Sequence, residues 1–182
     1  GAWSGMGLID DLHHNVIDRM LATPLHRGAI ITARILHASA TVVVQSFIIL
    51  VLSFILGAGW PSFAGTVGVL LAAALITAGF TAMSTGVALL ARREETMIAV
   101  INFFGLPLAF LSATFMSSQL MPDWMQAVAK ANPVNWAVSA ARHAVLETDA
   151  SAVWVNSGLL FVFTLVMVFL ATGAFRVYRR TT

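Results

Sequence analysis

Apolar residues run through this chain in stretches of bilayer length, and polar residues gather between them. Residues 38–56 are free of charge; as a helix rising about 1.5 Å per residue they cover roughly 28 Å, close to a hydrocarbon core of about 30 Å. Gly57, Gly59 and Pro61 mark the end of this span, and Trp60 stands where an interfacial aromatic belongs. A second span, 66–91, stops at Arg92-Arg93-Glu94-Glu95, and a third, 96–116, carries Gly105 and Pro107. A proline inside a helix removes a backbone donor and predicts a kink there, tolerable in lipid where a neighbour satisfies the freed carbonyl. The fourth, 153–175, ends at Arg176, Arg179 and Arg180.

Two polar segments differ from these spans. Between Leu8 and Arg34, Leu8, Leu12, Val16 and Met20 recur at four-residue steps with Ile9, Ile17 and Leu21 beside them, while Asp10, Asp11, His14, Asp18 and Arg19 take the other side. That spacing predicts an amphipathic helix lying on a membrane surface or against a partner protein. Between Ser117 and Ser151, Pro122 and Pro133 each suit the first turn of a short helix, with Asn132 placed as N-cap before the second. Val134, Val138, Ala141 and Val145 make an apolar stripe next to Trp136. The prediction for 117–151 is a pair of short outer helices, surface-lying or re-entrant. Residues 1–7, with Trp3, Gly5 and Gly7, read as the tail of an earlier span, so the intact protein is expected to be longer at its N-terminus.

Composition agrees. Of 182 residues 59% are hydrophobic and only 10% charged, against about 25% charged in a soluble domain. Mean hydropathy is +0.87. The predicted fold class is therefore an all-α integral membrane protein: a single transmembrane domain over 1–182 with four spanning helices. A pI near 9.9 is no nucleic-acid signal, because the net charge is only +2 and the basic residues sit at the ends of apolar runs. Eight of the ten, all but Lys130 and Arg142, fall on one side of the predicted topology. The positive-inside rule makes that side cytoplasmic, with both ends of the chain and the 8–34 segment on it. The absence of cysteine excludes disulfides, thiolate metal sites and a cysteine nucleophile.

Little in the chain supports chemistry. No phosphate-binding loop, His-Glu-x-x-His or Gly-x-Ser-x-Gly string occurs. His13, His14, Asp10 and Asp18 are helical neighbours, but adjacent histidines diverge and no second cluster completes a ligand set, so no metal site is predicted. In the third span Phe103, Leu106 and Phe110 either face a path for an apolar substrate or pack against lipid and protein. Asn102 there, and Gln45 in the first span, carry amides that are costly in hydrocarbon and turn toward protein or water. Ala74, Ala78, Ala82 and Gly86 form a small-residue stripe suited to close helix packing. Arg142 either guards an exit or pairs with Glu147.

Two strings carry a family resemblance: Asp10-Asp11-Leu12-His13-His14-Asn15-Val16-Ile17-Asp18-Arg19 followed by Thr23-Pro24-Leu25, Arg27 and Ala33-Arg34, and Leu120-Met121-Pro122-Asp123-Trp124-Met125-Gln126 followed by Asn132-Pro133-Val134 and Arg142. In this order and separation the chain resembles permease subunits of type-2 ATP-binding-cassette exporters, in the daunorubicin-resistance permease branch. The resemblance covers about the last two thirds of such a permease and implies that the four spans are the last four of six. It implies that Asp10, Asp11, Asp18, Arg19, Thr23, Pro24 and Arg27 belong to a coupling region touching a separate ATP-binding subunit, which would hold Mg-ATP; no cofactor is expected in this chain. It implies that Pro122, Trp124, Asn132, Pro133 and Arg142 belong to an outer gate built from paired re-entrant helices. Asn15 stands where the family commonly has glycine.

The reading is an exporter subunit of the inner (plasma) membrane, paired with a second permease, the same or paralogous, and moving an amphipathic or apolar drug or lipid by alternating access. Nucleic acid is not an expected partner. The rivals are an intramembrane lipid-modifying enzyme, which needs clustered ionisable groups at the membrane face, and a channel, which needs a polar pore ring that Gln45, Asn102 and Asn156 are too few to supply.

Overall fold

The computed structural model describes residues 27–91, 94–112 and 121–178, with side chains over 31–91, 95–112 and 121–174. All regular structure among them is helical: α1 (Arg27–Ile55), α2 (Phe63–Ala91), α3 (Glu94–Phe110), α4 (Asp123–Lys130), α5 (Pro133–Leu146) and α6 (Ala150–Tyr178). Three of these are long and apolar enough to cross a membrane, over Ile31–Ile55, Phe63–Ala91 and Ala150–Ala174.

Helix α1 continues without a break from Arg27, well before the predicted span begins. It ends as a Schellman turn: Gly57 takes a left-handed φ of 91°, its N–H donates to the Phe54 carbonyl at 3.0 Å, and the Ala58 N–H donates to the Ser53 carbonyl at 3.1 Å. Trp60 then folds back edge-on against Phe54 and Phe47, with ring centroids 5.6 and 6.3 Å away.

The bundle is organised around α2, which packs on α1, α3, α5 and α6. Of its buried residues only Leu89 is larger than threonine; the others are Gly, Ala, Ser and Thr. Its main partner is α6, and the two run parallel in constant register. Gly68 faces Val153, Gly79 faces Phe163 and Thr164, and Gly86 faces Ala171, so the partner advances by the same steps on both helices. Gly65, Ala72, Gly79 and Gly86 recur every seven residues on α2, as Ser157, Thr164 and Ala171 do on α6, the repeat of helices in left-handed contact. Small side chains let the backbones approach, and dispersion and interhelical hydrogen bonds supply the attraction that water exclusion does not provide in lipid. Thr164 makes one such bond, its hydroxyl reaching the Leu75 carbonyl at 3.0 Å as well as its own helix at Leu160, 2.9 Å.

The predicted stripe on α2 is partly of this kind. Ala78, Ala82 and Gly86 are buried, whereas Ala74 is half-buried and turns its carbonyl to the Ser39 hydroxyl of α1. Large apolar side chains point outward: Ile49, Leu52 and Phe54 on α1, Phe161 and Phe169 on α6. Near the Ala91 end of α2, Ile31, Leu89, Met97, Ile101 and Ala171 form the largest apolar cluster, which ties α1, α2, α3 and α6 together.

Helix α3 is shorter than the predicted span. It ends at Phe110 after 17 residues, roughly 26 Å at about 1.5 Å per residue. Its last turn tightens, with the Leu111 N–H bonded to the Pro107 carbonyl and the Ser112 N–H to the Ala109 carbonyl. Pro107 lies inside this helix, as the sequence predicts.

Candidate functional site

Helix α5 runs antiparallel to α2 along its first half. Trp136 and Ala137 lie beside Leu75 and Ile76, Ala140 beside Ala72, and Ala144 beside Gly68 and Gly65. Its start, at Asn132 and Pro133, is therefore buried halfway down α2, level with the end of α3. Helix ends buried in a bundle need partners for their free backbone groups, since no water is there to serve them. Asn132, only 2% exposed, serves two ends at once. Its Oδ1 accepts from the Val134 N–H at 2.9 Å and caps α5; its Nδ2 donates to the carbonyls of Leu108 at 2.7 Å and Leu111 at 3.3 Å, the loose end of α3.

Helix α4 packs on α5 through Met121, Met125, Ala129 and Val138. The turn between them is closed by the Trp136 indole N–H donating to the Lys130 carbonyl at 2.7 Å and by the Asn132 N–H donating to Ala129. Pro122 is the N-cap of α4 rather than its first helical residue, and its carbonyl accepts from Met125 and Gln126. Pro133 occupies the first helical position of α5, and Asn132 is the cap, as predicted.

The other end of α5 meets the start of α2. Ser62 caps α2 with its Oγ on the Gly65 N–H at 3.1 Å, while the Ser62 N–H is taken by the Glu147 carboxylate at 2.7 Å. In a capping box that second bond comes from the residue three positions into the helix. Here that residue is Gly65, whose missing side chain admits the Ala144 carbonyl, and α5 supplies the carboxylate instead. Glu147 does so from a left-handed φ of 52°. The Ser62 hydroxyl and then its N–H stabilise the ionised form and hold the Glu147 carboxyl below its ordinary range. Asp149 caps α6 through the Ser151 N–H at 2.9 Å and hydroxyl at 2.8 Å. Those bonds, led by the Ser151 hydroxyl, with the Ala152 N–H and nearby His143 adding to them, also lower its carboxyl.

Between these caps lies a cleft of about 440 Å³. Its walls are Phe63, Val67 and Leu71 on α2 and Val153 and Trp154 on α6, with Ala144 behind and His143 and Glu147 at the mouth.

The candidate residues of the sequence fall into separate places. Asp10, Asp11, Asp18, Arg19, Thr23 and Pro24 lie outside the described residues, and Arg27 opens α1. On α3, Asn102, Phe103, Leu106 and Phe110 share one exposed face; Gln45 is exposed on α1. Of the outer set, Asn132 is buried and Pro133 half-buried at the turn into α5, Pro122 and Trp124 are exposed on or beside α4, and Arg142 is exposed further along α5. The buried face of α5 is Trp136, Ala137, Ala140 and Ala144 rather than the valine stripe, of which Val145 is 42% exposed and Val138 turns to α4. Sequence reasoning offers Glu147 only as a partner for Arg142 and passes over Ser157. Glu147 follows the last residue of α5, and its partner Ser62 lies 85 positions away, so its role is set by a tertiary contact.

Comparison with known proteins places this geometry. The family model described as ABC-2 type transporter matches residues 2–146. A protein named putative transport permease ycf38 from Cyanophora paradoxa is 30% identical over 159 residues, covering 87% of this chain and 53% of its own length. The daunorubicin resistance ABC transporter permease protein DrrB1 of Streptomyces coeruleorubidus is 30% identical over 169 residues, 88% of this chain and 59% of that protein. The ycf38 permease of Porphyra purpurea is 27% identical over 147 residues, 80% of this chain and 50% of its own. The chain spans about half the length of the curated relatives it matches. No solved structure matches it. With the family model covering most of its length, in a helical bundle with three helices of membrane-crossing length, the chain belongs to the ABC-2 type transporter family.

Proposed function

We propose that this chain is the membrane-embedded part of an ATP-driven exporter of amphipathic or apolar compounds, a drug or a lipid. The family match over residues 2–146 carries this reading, and the daunorubicin resistance permease among its relatives supports the drug class. Energy comes from a separate ATP-binding subunit that holds Mg-ATP, the partner that the match to the ABC-2 type transporter family supports. The segment 8–34, with Asp18 and Arg19, receives the motion of that subunit on the cytoplasmic side, where both ends of the chain lie. A second permease, the same or paralogous, completes the path.

In this reading α4 and α5 dip into the membrane from outside and meet α3 at Asn132, closing the outer half of the path. Pro122, Trp124, Pro133 and Arg142 belong to the same gate. The exposed face of α3 bearing Asn102, Phe103, Leu106 and Phe110, with Gln45 on α1, faces the path or the second permease. Closure of the ATPase pair tilts α1 through the coupling segment, α2 carries the tilt to α5 and α6, and the α3–Asn132–α5 junction opens.

The test is uptake into inverted vesicles holding the intact permease with or without its ATPase, using rhodamine 6G and a fluorescent phospholipid as probes. Accumulation of either probe that needs both ATP and the ATPase is expected. Flux without ATP, or chemical conversion of the probe, overturns the reading.

A further inference from the structure

The cleft between α2, α5 and α6 has a feature that helix packing does not need. Ser157 on α6 is only 5% exposed, lines the cleft, and its hydroxyl has no hydrogen-bond partner among the described residues. Serine and threonine inside helices ordinarily turn their hydroxyls to a carbonyl four residues back, as Thr85, Thr164 and Thr172 do here. A buried hydroxyl left unpaired is costly in an apolar setting; of the three buried hydroxyls without a partner among the described residues, Thr66, Thr81 and Ser157, only that of Ser157 lines the cleft, where a ligand can supply the missing bond.

The register of the parallel helices gives the distance. Ser157 lies level with Ala72, about ten residues along α2 from the mouth at Ser62, or roughly 15 Å at a rise of about 1.5 Å per residue. The walls between are apolar, from Val67, Leu71 and Trp154. The carboxylate lining the mouth is that of Glu147, with Asp149 close by; His143 also lines it, its Nδ1 2.8 Å from the Thr148 hydroxyl, and Arg142 is not part of the lining. A pocket of this size with few polar groups suits a small organic ligand, and the polar groups set its chemistry.

We propose that this cleft binds a cationic amphiphile. Its amine sits against Glu147 at the mouth, its apolar body lies between Leu71 and Trp154, and an oxygen or nitrogen at its far end pairs with the Ser157 hydroxyl. The site is distinct from the α3 face, and its existence does not depend on the transport reading.

The experiment measures binding of rhodamine 6G to the intact permease in nanodiscs by fluorescence anisotropy, without ATP or ATPase, with the anionic amphiphile anilinonaphthalene sulfonate as comparison. Leu71→Trp, which fills the cleft, and Glu147→Gln are each expected to weaken rhodamine binding about tenfold or more, and Ser157→Ala about threefold to tenfold. Removing an unpaired hydroxyl leaves thermal stability equal or higher, so lost affinity in a Ser157→Ala protein of undiminished melting temperature is a result that a purely structural serine does not give. Gly158→Ala, at a position with no atom near its new methyl, is expected to bind as the unmodified protein does. Absence of rhodamine binding, unchanged affinity in both Leu71→Trp and Ser157→Ala, or equal binding of the anionic probe overturns the proposal. Each of those results leaves ATP-dependent transport standing, since the assay contains neither nucleotide nor partner.

Discussion

The Glu147 carboxylate accepts the Ser62 N–H at 2.7 Å across 85 positions of sequence, completing from another helix the cap that Gly65 leaves unfinished. The bond joins the end of α5 to the start of α2, and it depends on the ionised carboxylate. Because the folded-state pKa of Glu147 is lowered, its contribution is complete above the ordinary carboxylate range. It declines as pH falls toward the lowered value. Melting temperature of the purified permease is therefore expected to fall on acidification, and Glu147→Gln to lower it at neutral pH while flattening part of the acid slope. Asp149, lowered in the same direction, accounts for further acid sensitivity that Asp149→Asn removes. An unchanged slope in the double variant contradicts this account.

Asn132 separates into two functions by substitution. Asn132→Ser keeps an acceptor for the Val134 N–H but loses the donors to Leu108 and Leu111, whereas Asn132→Ala loses both. An N-cap contributes about 1 kcal/mol and a buried unsatisfied group about 1–3 kcal/mol. Alanine is expected to destabilise by about 2–4 kcal/mol and serine by about 1 kcal/mol less, measured by unfolding in detergent. Protease sensitivity at the end of α3 is expected to rise in both variants, because both lose the amide donor. Equal stability of alanine and asparagine at this position removes the double-cap interpretation.

The glycines of the bundle divide by what surrounds them. A methyl at Gly65 falls on the Ala144 carbonyl, whereas at Gly158 nothing lies within 4 Å. Gly65→Ala forces α5 away from α2 and is expected to cost about 1–3 kcal/mol, the range for overpacking. Gly158→Ala relieves helix-interior glycine and is expected to be neutral or stabilising by up to about 1 kcal/mol. Thermal unfolding of the two single variants decides; similar behaviour of both is incompatible with the close α2–α5 contact.

These positions mark what is legible in the sequence and what is not. Three of the four predicted spans are legible as long apolar helices, because an uninterrupted apolar run of bilayer length favours a helix of that length, and Asn132-Pro133 announces the start of α5 through local cap chemistry. The family is legible too, in two polar strings rather than in hydropathy. The end of α3 is not: apolar residues continue beyond Phe110, and the Leu108 carbonyl near that end is taken by an amide 24 positions away. The inner face of α5 is hidden for a related reason. In water a valine stripe marks the buried side, but in lipid large apolar residues are as comfortable outside, so the interior goes to the alanines that permit close approach. The seven-residue recurrence of Gly65, Ala72, Gly79 and Gly86 carries that information and is masked by the more obvious four-residue stripe. Glu147 belongs to a tertiary cap, which no local pattern spells out.

The proposed coupling role of the 8–34 segment leads to a test outside the bundle. If Asp18 and Arg19 contact the ATPase, Arg19→Glu is expected to abolish ATP-dependent uptake in vesicles while expression, membrane insertion and melting temperature stay within experimental error of the unmodified protein. Co-purification of the ATPase is expected to fall in parallel. Normal transport by a normally expressed Arg19→Glu protein assigns these charges to a solvated face instead.

Thr164 tests the α2–α6 seam with a substitution that conserves shape. Thr164→Val replaces the hydroxyl by a methyl, so the helices keep their packing at Gly79 but lose the bond to the Leu75 carbonyl. The Leu75 carbonyl retains its own intrahelical partner, and so no group is left without any bond. Interhelical bonds of this kind in membranes contribute on average about 0.6 kcal/mol and at most about 1.7 kcal/mol, and the loss is expected in that range. Gly79→Ala is expected to cost more, because the new methyl must displace the Phe163 ring and approaches the Thr164 hydroxyl to 3.3 Å. Since both changes act on one contact, their double variant should lose less than the sum of the single losses. Strict additivity in a double-mutant cycle shows that residues 79 and 164 do not share the seam.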